Sequence, residues 1–237
     1  MVESETARAL ASGALQPIAT QTEVIEDFVV RAASTIAAKA AAQQRADPLG
    51  DYDPGLFVAD AGSSHYVLLN KYPVVPNHLL LVTRRFAPQE ELLDAGDFAA
   101  LGALMAELDW LAFYNAGREA GASQVRKHLQ LAPAAVPLEP RISRGALPFR
   151  HGYAALPGLD AMHRIYQELI APWPTTPYNL LATRRWMLVV PRRQARYETI
   201  SVNALGFAGS LFVRNSDELE LVHRAGPMNV LRGVTLE

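Results

Sequence analysis

Between residues 22 and 42 the apolar side chains Val24, Ile25, Phe28, Val29, Ala32, Ile36 and Ala37 fall at helical spacing, which predicts an amphipathic helix there. The polar, Gly- and Pro-containing stretch 43–55 ends that helix and opens the main body. The pattern then changes to short apolar runs. Residues 56–59, 66–70 and 79–83 read as strands, with a turn at 61–64 and a proline-containing connection at 71–78. Helical spacing returns over 89–116 through Leu92, Phe98, Leu101, Leu104, Met105, Leu108, Leu111 and Ala112, and Asp97 is the expected N-cap of its second part. A glycine-containing loop at 117–124 leads to a strand at 125–131. Residues 132–159 hold several prolines and little period, as a long functional loop or a connection between two halves would. A helix near 160–171, a proline-rich turn at 172–177, strands at 178–182 and 186–190, and a buried run at 211–213 complete the chain.

These elements predict an α+β fold: an antiparallel sheet with helices packed mainly on one face. The strand pairs 66–70/79–83 and 178–183/186–190 share a faint pattern, each joined through Lys or Arg, so a degenerate duplication is one reading. Three segments are expected within one globular unit. They are an N-terminal helical segment (1–45), a core (46–140) and a C-terminal segment (141–237).

Composition narrows the partners. Half of the 237 residues are hydrophobic, and a net charge of −2 gives no general electrostatic reason to bind nucleic acid or an anionic membrane. No cysteine occurs, which excludes disulfides, thiolate metal sites and cysteine nucleophiles. Glu3 and Glu5 interrupt the N-terminus, so no secretory signal is expected. The longest apolar runs fall far short of the roughly 18 residues a membrane span needs. A cytoplasmic protein is expected.

Candidate chemistry concentrates between residues 114 and 130. On a strand, Arg126, His128 and Gln130 share one face while Lys127, Leu129 and Leu131 share the other. One face thus offers a cation, a nucleophile and an amide. A neutral imidazole, with an ordinary pKa of about 6.5, can attack phosphorus and carry a nucleotidyl group. Gln130 donates hydrogen bonds but has no proton to titrate, and Arg126 offers a fork for phosphate oxygens. Upstream, Gly117, Gly121 and Ala122 let backbone N–H groups approach an anion, and Asn115, Ser123 and Gln124 add side-chain donors. His65 and His78 flank strands and are expected to be structural. No pair among the remaining histidines has metal-ligand spacing. Arg84-Arg85, Arg184-Arg185 and Arg192-Arg193 read as solvated edges.

These residues carry a resemblance. The blocks LLNKYPVVPNHLLLVTRRF (68–86), FYNAGREAGASQVRKHLQ (113–130), YNLLATRRWMLVVPR and ISVNALGFAGSLFVRN resemble the ATP adenylyltransferase family, or diadenosine tetraphosphate phosphorylases, of the histidine-triad superfamily. The likeness extends over most of residues 50–237 and implies a histidine-triad-like core. It also implies reversible phosphorolysis of a dinucleoside polyphosphate, with ATP, ADP and inorganic phosphate as the other partners. His128 matches the nucleotidylated nucleophile, and Gln130 the glutamine that replaces the last triad histidine. Asn115, Gly121, Ala122, Ser123 and Gln124 match phosphate-holding positions. Asn70 and Lys71 fall in a block associated with nucleotide binding, and Ser201, Val202, Asn203, Ser210 and Arg214 match nucleotide contacts. Lys39 matches a phosphate-binding lysine. No protein metal site is implied; a divalent cation such as Mg2+ would travel with the nucleotide. The family commonly reads HKHLQ, and this chain has Arg126 at the first histidine, which keeps a donor but loses an acceptor nitrogen. A histidine-triad hydrolase and a catalytically weakened nucleotide-binding protein are the alternative readings.

Overall fold

Runs of five or six consecutive buried residues, rather than in-out alternation, mark the central strands, because both faces of their sheet are covered. The computed structural model describes residues 2–33 and 46–237. In chain order the elements are α1 (Val2–Ala11), β1 (Thr20–Ile25), β2 (Phe28–Ala33), β3 (Phe57–Ala61), β4 (His65–Leu69) and β5 (Leu79–Thr83). Then come α2 (Ala95–Glu107), β6 (Leu111–Asn115), β7 (His128–Ala132), α3 (Glu139–Ser143), β8 (Gly152–Ala155), α4 (Met162–Ile170), β9 (Tyr178–Ala182) and β10 (Trp186–Pro191). The chain closes with β11 (Arg196–Tyr197), β12 (Ile200–Ser201), α5 (Ala204–Phe207), β13 (Ser210–Val213), α6 (Ser216–Ala225) and α7 (Pro227–Arg232).

Eight strands form one antiparallel sheet in the order β3-β4-β5-β7-β6-β9-β10-β8. Strict alternation sorts their side chains. Leu129 and Leu131 of β7 join Ala9 of α1, Leu101 and Met105 of α2, and Ile165, Tyr166 and Ile170 of α4. On the other face, Phe113, Ala132, Leu181, Leu188 and Val190 pack against a C-terminal layer through Leu205, Phe207, Leu211, Val222 and Leu231. That layer includes a second sheet, β1-β2-β13, whose parallel β2–β13 pairing ties the N-terminal hairpin to the C-terminal segment. A third cluster, Leu49, Tyr66, Leu68, Leu80 and Val82, shares this face at the β3–β5 end. Register places Leu80 beside Gln130 and Val82 beside His128, with Phe113 on the other flank of Gln130. The polar side chains of β7 therefore lie between two apolar clusters.

Three expectations are corrected. The helix expected over 22–42 gives way, as far as residue 33, to the β1–β2 hairpin. Ile25 pairs with Phe28 across a two-residue turn, Glu26 takes φ +53°, and Phe28 and Val30 alternate inward. Val24, which the helix would have buried, is 70% exposed. The helical segment at 1–45 is thus the short α1 followed by a hairpin, and 34–45 lie outside the described residues. The helix over 89–116 is confined to α2, since 111–115 form β6 between β7 and β9. Its N-cap is Asp94, in a reciprocal capping box with Asp97 (2.9 Å each way). Within 132–159, α3 and the edge strand β8 are ordered by Leu138 and Ile142 in the core and by pairing with β10. Among the described residues no helix is long and apolar enough to cross a membrane.

Candidate active site

His128 opens β7 and is 4% exposed, and its Nδ1 lies 2.8 Å from the Arg126 carbonyl oxygen. A carbonyl only accepts, so Nδ1 carries the proton and the lone pair is on Nε2. Burial lowers the imidazole pKa from its usual range, against the smaller opposing effect of the Arg126 carbonyl. The ring is therefore neutral and nucleophilic at neutral pH.

Gln130, two residues on, has its amide orientation set by a relay. The Tyr72 N–H donates to Asn70 Oδ1 (3.2 Å), and Asn70 Nδ2 donates to His78 Nδ1 (3.1 Å). With Nδ1 accepting, His78 Nε2 holds the ring proton and donates it to Gln130 Oε1 at 2.9 Å. Gln130 Nε2 is left without a protein partner among the described residues. Asn115, at the end of β6, is held in the same way. Its Oδ1 accepts from Asn179 Nδ2 and from the Ala204 N–H, both at 2.8 Å. Asn115 pairs with Asn179, and continuing the β6–β7 register beyond Phe113 and Gln130 sets Asn115 across from His128.

These three largely buried side chains each keep one nitrogen without a protein partner among the described residues: His128 Nε2, Gln130 Nε2 and Asn115 Nδ2. Among the described residues no fully buried side-chain nitrogen or oxygen lacks a partner, so each of these atoms is reachable from solvent. One lone pair and two donors thus open on a single face.

The loop after Asn115 turns through Gly117 (φ +84°) and Gly121 (φ +89°). A Cβ on Gly121 would stand 2.5 Å from the Val202 carbonyl oxygen, so only glycine lets this loop pack on the C-terminal segment. The Gly121 and Ala122 N–H groups are bonded within the loop. Both fold back inside the turn, to Arg118 O (2.9 Å) and Gly117 O (3.1 Å). Ser123 is exposed and Gln124 half-buried, and neither side chain has a partner among the described residues.

Arg126 is bonded within the protein. Its Nε and Nη2 bind Asp47 and its Nη1 binds the carbonyls of Thr83 (3.0 Å) and Arg84 (3.2 Å), so the fork faces the 47–50 turn. The Arg126 hydrogen bond holds the Asp47 carboxyl below its usual range. Lys127 points to the opposite face, where its Nζ meets Asp97 (3.0 Å) and Leu92 O (2.9 Å), and Asp97 also binds His65 Nε2 (2.9 Å). This buried network bolts α2 to β7 directly behind the nucleophile. Burial raises the Asp97 pKa, but His65, the Asp94 N–H and Lys127 outweigh it and the net shift is downward.

Arg192, expected at a solvated edge, is 1% exposed and is held by Asn179 Oδ1 and the carbonyls of Ala120, Gln194, Val202 and Val234. Burial pushes its guanidinium down to about 9, so it is still a cation at neutral pH. It joins the 117–124 loop to the C-terminal segment through Asn179.

The other expected contacts are more scattered. Lys71 stands beside the Tyr72 ring (5.8 Å), next to the Asn70 relay. Ser201 is exposed, the Val202 side chain is buried, and Asn203 caps α5 through Leu205 N (3.0 Å). Ser210 lies in the second sheet with its Oγ accepting from Arg31, and Arg214 is tied to Glu218 and Thr199 O. None of these bonds reaches His128 or Gln130. Lys39 lies outside the described residues. Sequence reasoning missed His78, Asn179 and Arg192 as members of the site. It also missed Gln89, whose side chain bonds the backbone of both His128 and Asn115.

The sequence matches the model of the Ap4A phosphorylase N-terminal domain over residues 1–150 and that of the ATP adenylyltransferase C-terminal domain over 145–237. Diadenosine 5',5'''-P1,P4-tetraphosphate phosphorylase 2 of Saccharomyces cerevisiae is 29% identical over 231 residues, covering 73% of this chain and 70% of that protein. The APA1 protein of the same yeast is 26% identical over 224 residues, covering 72% and 70%. The crystal structure of yeast Ap4A phosphorylase Apa2 with AMP superposes at a TM-score of 0.84, with 25% identity over 99% of this chain and 94% of that one. The structure of Apa2 with Ap4A gives 0.85, with 24% identity over 99% and 95%.

Proposed function

Because the chain belongs to the Ap4A phosphorylase and ATP adenylyltransferase family, we propose that it catalyses reversible phosphorolysis of diadenosine tetraphosphate to ATP and ADP through a nucleotidyl-histidine. The observation that carries the mechanism is the shared face of three open nitrogens, His128 Nε2, Gln130 Nε2 and Asn115 Nδ2.

His128 Nε2 attacks an α-phosphorus. A P–N bond forms, the bond to the bridging oxygen breaks, and ATP leaves with that oxygen and its electron pair. An oxygen of inorganic phosphate then attacks the same phosphorus, the P–N bond breaks, and ADP and neutral His128 are regenerated. Asn115 Nδ2 donates to an equatorial oxygen as charge builds on it, and Gln130 Nε2 donates to the leaving or entering phosphate. The departing phosphate is a weak base, with a second pKa of about 6, so a donor that cannot titrate suffices. The buried Arg192 cation adds positive potential beneath the loop, and Ser123 and Gln124 meet phosphates at the rim.

Any divalent cation would travel with the nucleotide phosphates. We place the enzyme's action in the cytoplasm, with the nucleotides and phosphate it uses. Incubation with diadenosine tetraphosphate and labelled phosphate tests the reading: label in ADP supports it, and AMP as the sole nucleoside monophosphate-level product, without labelled ADP, indicates hydrolysis instead.

A further inference from the structure

Resting on the nucleotidyl-transfer reading above, we infer that Gln89 is a positioning residue whose side-chain amide sets the gap between His128 and Asn115 in which the reacting phosphorus sits. The β6–β7 pairing ends at Phe113 and Gln130, two residues short of where Asn115 and His128 would meet. In place of a direct pair, Gln89 Nε2 donates to Asn115 O (2.9 Å) and to His128 O (3.2 Å), while Gln89 Oε1 accepts from the His128 N–H (2.9 Å). An interposed amide needs two hydrogen bonds where a ladder needs one, so the strand ends are held apart by the width of a side chain. Directly paired antiparallel strands would bring the two Cα atoms to about 5.5 Å or closer.

Gln89 is itself fixed. It is 0% exposed, its N–H donates to Val125 O (2.9 Å), and its carbonyl accepts from Tyr114 Oη (2.6 Å). Both main-chain groups of His128 are thereby anchored by a residue from the connection between β5 and α2. The imidazole follows that anchor, because its Nδ1 is bonded to a carbonyl only two residues away. Loss of the amide would orphan the N–H and the carbonyl of His128, while Asn115 O keeps only its bond from the Gly117 N–H (3.0 Å), and would let Asn115 and His128 pair directly, closing the gap.

The test compares wild type with Gln89→Met and Gln89→Glu. In Gln89→Met, which keeps the length of the side chain, we expect rapid-quench adenylylation of His128 to slow about 100-fold while ATP affinity changes by less than about threefold. In Gln89→Glu, an ionised carboxylate can accept from the His128 N–H but cannot donate to either carbonyl, whereas the protonated acid can. Its rate relative to wild type should therefore rise as pH falls from about 8 to about 5. A merely structural role would shift the unfolding midpoint and leave that ratio flat. Adenylylation within threefold of wild type in folded Gln89→Met, or a flat ratio in Gln89→Glu if the methionine variant does not fold, overturns the inference. Imidazole 15N spectra of His128 read the same geometry without turnover: a single Nδ1–H tautomer in wild type and a mixture in the variants supports it, and identical spectra refute it. Absence of a wild-type adduct would overturn the phosphorolysis reading alone, because the spectra decide the role of Gln89 independently.

Discussion

His78 donates from Nε2 to Gln130 Oε1 across 2.9 Å, and this bond decides which end of the Gln130 amide faces the open side of β7. Replacing His78 with phenylalanine keeps a ring beside Phe113 but frees the Gln130 amide to flip. We expect kcat to fall about 100-fold, the usual cost of losing one preorganised donor, with little change in nucleotide KM. In a Gln130→Ala background the same change should cost little more, because the two residues act as one unit. Steady-state kinetics on the four proteins of this cycle checks both statements.

Arg126 clamps Asp47, and a Cβ at Gly50 would crowd both the Asp47 carboxylate and the Arg126 guanidinium. Arg126→His, which restores the residue common in the family, removes those bonds without creating a phosphate contact. We expect stability to drop by about 2 kcal/mol, the scale of a hydrogen bond to a charged group, and turnover not to increase. Denaturant unfolding together with turnover measures both; a faster and equally stable variant would contradict the clamp.

Burial lowers the His128 pKa, and the neutral ring is the form that attacks. The sign follows: with its folded pKa depressed, the nucleophile stays unprotonated below its ordinary value and is lost only at lower pH. The acid limb of single-turnover adenylylation should therefore lie below about pH 6.5. A rapid-quench pH profile reads this, and an acid limb above that value would contradict it.

Asn115→Asp leaves one oxygen to accept from Asn179 and Ala204 and turns the other, as an anion, toward the incoming phosphate. We expect adenylylation to fall at least about 100-fold, with unfolding nearly unchanged. Parallel activity and thermal unfolding measurements separate the two effects.

The chemistry of β7 was legible because it is local. Alternation alone put His128 and Gln130 on one face and Lys127 and Leu129 on the other, and each lies where that period requires. What stayed hidden was long-range. Gln89 meets its partners 26 and 39 residues away, and nothing in the sequence near it signals a wedge between strands. Arg192 sits in an Arg-Arg pair that reads as surface, and it is buried only because β9 lies beside β6 and the C-terminal segment folds over both. Strand β6 carries a helical pattern in the sequence because Leu108, Leu111 and Ala112 continue the spacing of α2 past its end at Glu107. In the N-terminal hairpin the apolar residues satisfy both periods over a short run, and pairing with β13, nearly two hundred residues later, selects the strand.

Mass spectrometry of the protein incubated with diadenosine tetraphosphate in the absence of phosphate, followed by a chase with labelled phosphate, probes the covalent step itself. We expect an adenylyl group on His128 that is acid-labile and base-stable, and its quantitative transfer to labelled ADP during the chase. Turnover with no adduct on His128, or an adduct that the chase leaves in place, would contradict it.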